Sequence, residues 1–174
     1  NAPSDMVNVC GIGIGSQGGS DIRNIATPDV EIQRGVGYPN TSTSGRYAGL
    51  SPQQAGPRLS DQVNQLGAAA EKKTFKYANI YALCDVDTEY AGHIFAGYPN
   101  AKKYTDWHDV MDDKNIDAVV IGTPDHNHAI ISACAMLSGK HVFVEKPMAK
   151  TVYECRYLLK LAEKTGMVTQ MGNQ

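Results

Sequence analysis

A doubly wound parallel α/β sheet with helices on both faces is predicted by three observations. Short apolar, β-prone runs alternate with helix-length segments through most of the chain. The first run leads directly into a glycine-rich turn, Gly13-Ile14-Gly15-Ser16-Gln17-Gly18, that a helix can follow. The run Ala118 to Gly122 is apolar throughout, the pattern of a strand covered on both faces.

Each element has its own local reason. Val7 to Cys10 reads as the first strand, and Ser20 to Ile25 continues the glycines as a helix. From about residue 26 to 76 the pattern breaks into a loop-rich insertion, punctuated by Pro28, Pro39, Pro52 and Pro57. Its regular piece is a helix from Ser60 through Val63, Leu66 and Ala70 to Lys73. Tyr77 to Cys84 is the second strand, ending at Asp85, with a helix from Thr88 to Phe95 behind it. Lys102 to Tyr104 is a short third strand, and Asp106 caps a helix through Val110 and Met111. After Ala118 to Gly122, a helix over Asn127 to Ser138 places Ile130, Ile131, Cys134 and Leu137 at helical spacing, and Gly139 stops it. Val142 to Val144 is the next strand. Thr151 then caps a long helix with Val152, Cys155, Leu158, Leu159 and Ala162 on one face, Gly166 closes it, and Val168 to Met171 is the last strand.

Bulk composition narrows the function classes. The 174 residues are 42% hydrophobic, enough for one core, and the net charge of -2 leaves no basic stripe for nucleic acid. No apolar stretch approaches the roughly 20 residues that span a bilayer. Expected partners are small molecules or a second copy of the chain. Cys10, Cys84, Cys134 and Cys155 form no CxxC pair and read as free structural cysteines. The chain begins Asn1-Ala2-Pro3 rather than with methionine, so the compartment stays open between cytoplasm and export.

The residues that can carry chemistry fall at strand ends, the edge where an open parallel sheet binds ligands. Gly13, Gly15 and Gly18 would let backbone amides at a helix N-terminus approach a pyrophosphate, with Ser16 and Gln17 between them. Asp85 ends the second strand, where a carboxylate accepts from adenosine ribose hydroxyls and repels a 2′-phosphate, favouring NAD over NADP. Capping of the next helix by Asp85 or Asp87 is the plainer alternative. Thr123-Pro124-Asp125-His126-Asn127-His128 borders the same edge, with no third ligand that would make its histidines a metal site and with His128 expected to pack near the nicotinamide side. In Glu145-Lys146-Pro147 the ammonium of Lys146 can hydrogen-bond a substrate hydroxyl and stabilise alkoxide character, Glu145 can hold it in place, and Pro147 can take a cis peptide.

These motifs in this order, closed by Met171-Gly172-Asn173-Gln174, resemble the Gfo/Idh/MocA family, the glucose-fructose oxidoreductase and inositol dehydrogenase group. The resemblance implies a Rossmann domain over residues 1–174 that binds NAD, with NADP less favoured. It implies cofactor contacts from Gly13, Gly15, Ser16, Gln17, Gly18, Asp85, Thr123, Pro124, His126, His128, Glu145, Lys146 and Asn173, and Lys146 as the catalytic lysine. A C-terminal domain supplying dimer contacts and most of the substrate site is implied but absent from this chain, as is its usual histidine. Family substrates are sugars, inositols and related polyols, and the full-length form is expected to be a homo-oligomer. Two alternatives stay open: a glycosidase or lyase working by transient oxidation of a sugar hydroxyl, and a non-catalytic NAD-binding sensor or scaffold.

Overall fold

Strands apolar on both sides need helices on both sides, and the architecture follows from that requirement. The computed structural model describes residues 6–26 and 78–173. The strands are β1 Val7–Ile12, β2 Ala78–Cys84, β3 Lys102–Tyr104, β4 Ala118–Ile121, β5 His141–Val144 and β6 Thr169–Met171. The helices are α1 Gln17–Ile25, α2 Gly92–Gly97, α3 Trp107–Asp112, α4 Asp125–Leu137 and α5 Val152–Thr165. All strand pairs are parallel, and the order across the sheet is β3-β2-β1-β4-β5-β6. This is a Rossmann sheet, whose order reverses between β1 and β4.

Neighbouring residues of one strand feed opposite cores. Val9, Leu83 and Val120 pack with Ile22, Ile94 and Phe95 under α1 and α2. Cys10, Cys84 and Val119 pack with Val110, Met111, Ile131 and Leu158 under α3, α4 and α5. The period-2 alternation of a pleat therefore separates the two cores residue by residue. All four cysteines are free. The fully buried Lys140 donates through Nζ to the carbonyls of Asp113 at 2.7 Å and Ile116 at 3.2 Å, which gives its ammonium two acceptors inside the fold.

Several boundaries and faces differ from the sequence pattern. The insertion and its helix from Ser60 lie outside the described residues, apart from Ala26. α1 begins at Gln17 rather than Ser20, because the glycines themselves are helical from Gly18. The segment expected to be helical from Thr88 opens instead as a turn, in which Asp87 Oδ1 accepts from Glu89 N and Tyr90 N, and α2 begins only at Gly92. In α4 the buried face is Ile131 with small residues and Met136, while Ile130 and Leu137 are exposed. α5 likewise buries Leu158 and Leu161 but leaves Val152 and Leu159 in the open. Spacing identifies a helix, but the sheet decides which stripe it covers.

α5 carries the best-defined cap in the fold. Thr151 Oγ1 accepts from Glu154 N at 3.2 Å and Glu154 Oε2 accepts from Thr151 N at 2.8 Å, and Gly166 ends the helix at φ 70°. Thr151→Ala is expected to cost about 1 kcal/mol in denaturant unfolding. An unchanged midpoint would show that the box contributes nothing.

Candidate cofactor and active site

Hydrogen bonds that continue the sheet past its strands align the site residues along one edge. Gly13 N donates to Cys84 O at 2.9 Å, Gly122 N to Ile12 O at 2.8 Å, Glu145 N to Ile121 O at 2.9 Å, and Gly172 N to Val144 O at 2.8 Å. The motifs are thereby set side by side at the carboxyl ends of the strands.

The three glycines of the loop have separate jobs. Gly13 turns at φ 77°, and a Cβ there would meet the Thr123 backbone at 2.7 Å. At Gly15 a side chain would run into the Tyr90 ring. At Gly18 it would strike the Gly13 carbonyl and lie 3.2 Å from Gly122 Cα, so the loop, α1 and the end of β4 meet backbone to backbone. α1 has no side-chain cap and no acidic residue in its first turn. The positive dipole end of such a helix start suits an anion.

A cleft of about 480 Å³ opens at the switch point. Gly13, Gly15, Ser16, Asp85, Thr123 and Pro124 line it, and so do Val86, Tyr90, Thr105 and Trp107, which sequence reasoning had not singled out. Asp85 is tied to the loop: Oδ2 accepts from Ile14 N at 2.8 Å and Gly15 N at 3.0 Å, and Oδ1 from Asp87 N at 3.0 Å. Asp87 is the residue that caps the following turn. Burial, with the Asp85 charge adding to it, pushes the Cys84 thiol up to about 12, so Cys84 lines the cleft as a neutral thiol and not as a nucleophile.

A second cavity of about 350 Å³ adjoins this one through Gly122 and Thr123. Gln17, Asp125, His128, Glu145 and Lys146 complete its wall. His128 is buried, and its two ring nitrogens reach the Pro147 and Thr123 carbonyls at 2.7 Å each, strapping the end of β4 to the Glu-Lys-Pro turn. The Lys146–Pro147 peptide is cis. The Thr123 hydroxyl is buried and has no partner among the described residues, which would suit a ligand's polar group. Gly18 is buried behind the loop. His126 and Asn173 are exposed and do not line either cavity.

A family model described as an oxidoreductase family with an NAD-binding Rossmann fold matches residues 58–173. The chain belongs to the Gfo/Idh/MocA oxidoreductase family. The match leaves the glycine loop outside, and the structure supplies that part of the Gfo/Idh/MocA domain. Inositol 2-dehydrogenase of Salmonella typhimurium is 32% identical over 101 residues, which is 57% of this chain and 30% of that protein. A glycosyl hydrolase family 109 protein of Shewanella pealeana is 37% identical over 95 residues, or 49% of this chain and 21% of that protein. Scyllo-inositol dehydrogenase from Lactobacillus casei, solved with NAD(H) and scyllo-inositol, superposes with a TM-score of 0.64 at 18% identity, covering 96% of this chain and 36% of that one. The chain thus spans about a third or less of the proteins it matches, and the structural likeness speaks for the fold.

Proposed function

We propose that this chain is the NAD-binding part of an enzyme that moves a hydride between a sugar, inositol or related polyol and NAD. The observation that carries the reading is the adjacency of the two cavities: a glycine-loop cleft that shares Gly122 and Thr123 as lining with a chamber whose wall includes Lys146 and Glu145. The loop glycines, the uncapped start of α1 and the Thr123 hydroxyl, which has no partner among the described residues, fit a dinucleotide. NAD, when bound, supplies the acceptor for the hydride.

The protein's part is positioning and charge. Ser16 and Gln17 open α1 beside the glycines, where their amides would hold the pyrophosphate. Asp85 braces the loop and would offer its carboxylate to ribose hydroxyls, while a 2′-phosphate would meet its charge. Lys146, exposed at the mouth, would donate to the substrate hydroxyl oxygen and hold the negative charge that develops there. Sugar or polyol specificity, most substrate contacts and dimer contacts would come from a C-terminal domain of the kind the family resemblance implies.

Titration of the protein with NADH and NADPH tests the reading. NADH is expected to bind saturably and more tightly, and Asp85→Ala should weaken NADH and narrow the preference by roughly tenfold. An unchanged preference would remove Asp85 from the ribose site, and failure of both nucleotides to bind the full-length protein would remove the cofactor reading. The similarity to the family 109 hydrolase supports a second outcome in which a transient ketone is reduced again. Net cleavage of a glycoside without net NADH formation would identify it. A purely sensing module would have no use for Lys146 beside the cofactor cleft.

A further inference from the structure

We propose that His128 is a buried imidazolium and a positioning residue for Lys146, its two N–H groups tying the loop after β4 to the Glu-Lys-Pro turn after β5. The residue is 1% exposed. Its Nδ1 lies 2.7 Å from the Pro147 carbonyl oxygen, and its Nε2 lies 2.7 Å from that of Thr123. A carbonyl oxygen only accepts, so each contact needs an N–H on the ring. Neutral imidazole has one N–H and one bare lone pair, and that lone pair would face an oxygen at hydrogen-bond distance with no proton between them. With both nitrogens protonated, the two contacts become charge-assisted hydrogen bonds of ordinary length. The protonation state that satisfies both carbonyls is therefore the cation.

The surroundings say what keeps the charge and what it does. Burial favours the neutral ring, whereas hydrogen bonds to the charged form and nearby negative charge favour the cation. Besides His128, the titratable groups on the wall of its cavity are Asp125 from the first turn of α4 and Glu145 and Lys146 after β5, while Gln17 from α1 is uncharged. Two carboxyl groups thus stand with one ammonium among the described residues there. Both carbonyls belong to working parts of the site. Thr123 borders both cavities and packs its backbone against Gly13, and Pro147 directly follows Lys146. Loss of one ring proton would break one tie and set a lone pair against the oxygen, releasing the turn that carries Lys146 from the end of β4. As a role in turnover this rests on the function proposed above, while the charge of the ring stands without it.

The test follows the ring itself in the full-length protein. Nitrogen NMR of histidine-labelled wild type, with the His128 signals assigned by their loss in His128→Gln and His128→Asn, should show both ring nitrogens protonated at neutral pH. One unprotonated nitrogen there overturns the imidazolium. The ring stabilises the fold while it holds both protons, and part of that contribution is lost as rising pH removes one. His128→Gln keeps a donor for one carbonyl and does not titrate. The Tm gap between wild type and His128→Gln should therefore shrink as pH rises, and a gap flat in pH also overturns the charge. Turnover should fall about tenfold or more in His128→Phe and recover in part in His128→Gln. In wild type it should decline with the same pH midpoint as the NMR titration of His128, and that decline should be missing from His128→Gln. A decline that persists in His128→Gln overturns the positioning role whether or not the phenylalanine variant folds, as does wild-type turnover in a folded His128→Phe protein. A wild type that binds no NADH while its ring carries both protons counts for the imidazolium and against the cofactor reading alone.

Discussion

Lys146→Ala in the full-length protein is expected to lower turnover by roughly a hundredfold or more while leaving NAD affinity within a few fold. Two features separate these effects. Lys146 is exposed at the mouth of the smaller cavity, so its removal opens no hole in the core. The cofactor cleft is lined by the glycine loop, Asp85 and the Thr123-Pro124 turn, not by Lys146. An interaction made with the developing alkoxide is lost from the transition state and hardly from the ground state, so the loss falls on kcat. Undiminished turnover would sink the catalytic assignment, and an equal loss of NAD affinity would make Lys146 a binding residue instead.

Gly122→Ala is the substitution expected to damage the fold and the cofactor site together. A Cβ at Gly122 would lie 2.5 Å from Gly18 Cα, 2.7 Å from Gly18 N and 3.0 Å from Gly13 O. All three are backbone atoms, so relief requires moving α1 and the loop away from β4. Overpacking of this kind costs about 1–3 kcal/mol, and a rigid backbone on the far side puts this case at the upper end. NADH affinity should fall at least about tenfold, since the displaced loop is the one that holds the dinucleotide. Gly139→Ala is the matching control. Its φ is 78° but nothing lies within 4 Å of the added carbon, so it should carry only a left-handed backbone cost of about 1 kcal/mol and leave NADH binding alone. Equal losses of NADH affinity in the two variants would mean that the Gly18–Gly122 contact does not shape the site.

The sequence pattern was most readable where short-range chemistry decides. Strand, glycine turn and helix follow from residues within a few positions of one another, as do the Thr151 cap and the Gly166 stop. Asp85 and Lys146 were legible as strand-end residues because a parallel sheet presents its carboxyl edge to ligands. Tyr90 and Trp107 were not, since nothing in their neighbourhood marks a ring that turns into a cleft. The burial of Asp21 was hidden for another reason: an acidic residue inside a short helix reads as solvent-facing, whereas this one is buried against the sheet side of α1. Gly122 read only as the end of an apolar run, although the space it leaves is what lets α1 approach.

Taken alone, the sequence determined the alternation of elements, the Rossmann class and the family resemblance, all of which depend on local periodicity and on the order of short motifs. The tertiary structure decided which glycine meets which, which stripe of α4 and α5 is buried, and that Asp21 lies inside the fold. Those are consequences of the strand order β3-β2-β1-β4-β5-β6, which sets β1 beside β4 and carries the turn after β5 to the same edge. Contacts between such distant residues depend on how the whole sheet closes its two cores, and no local pattern encodes them.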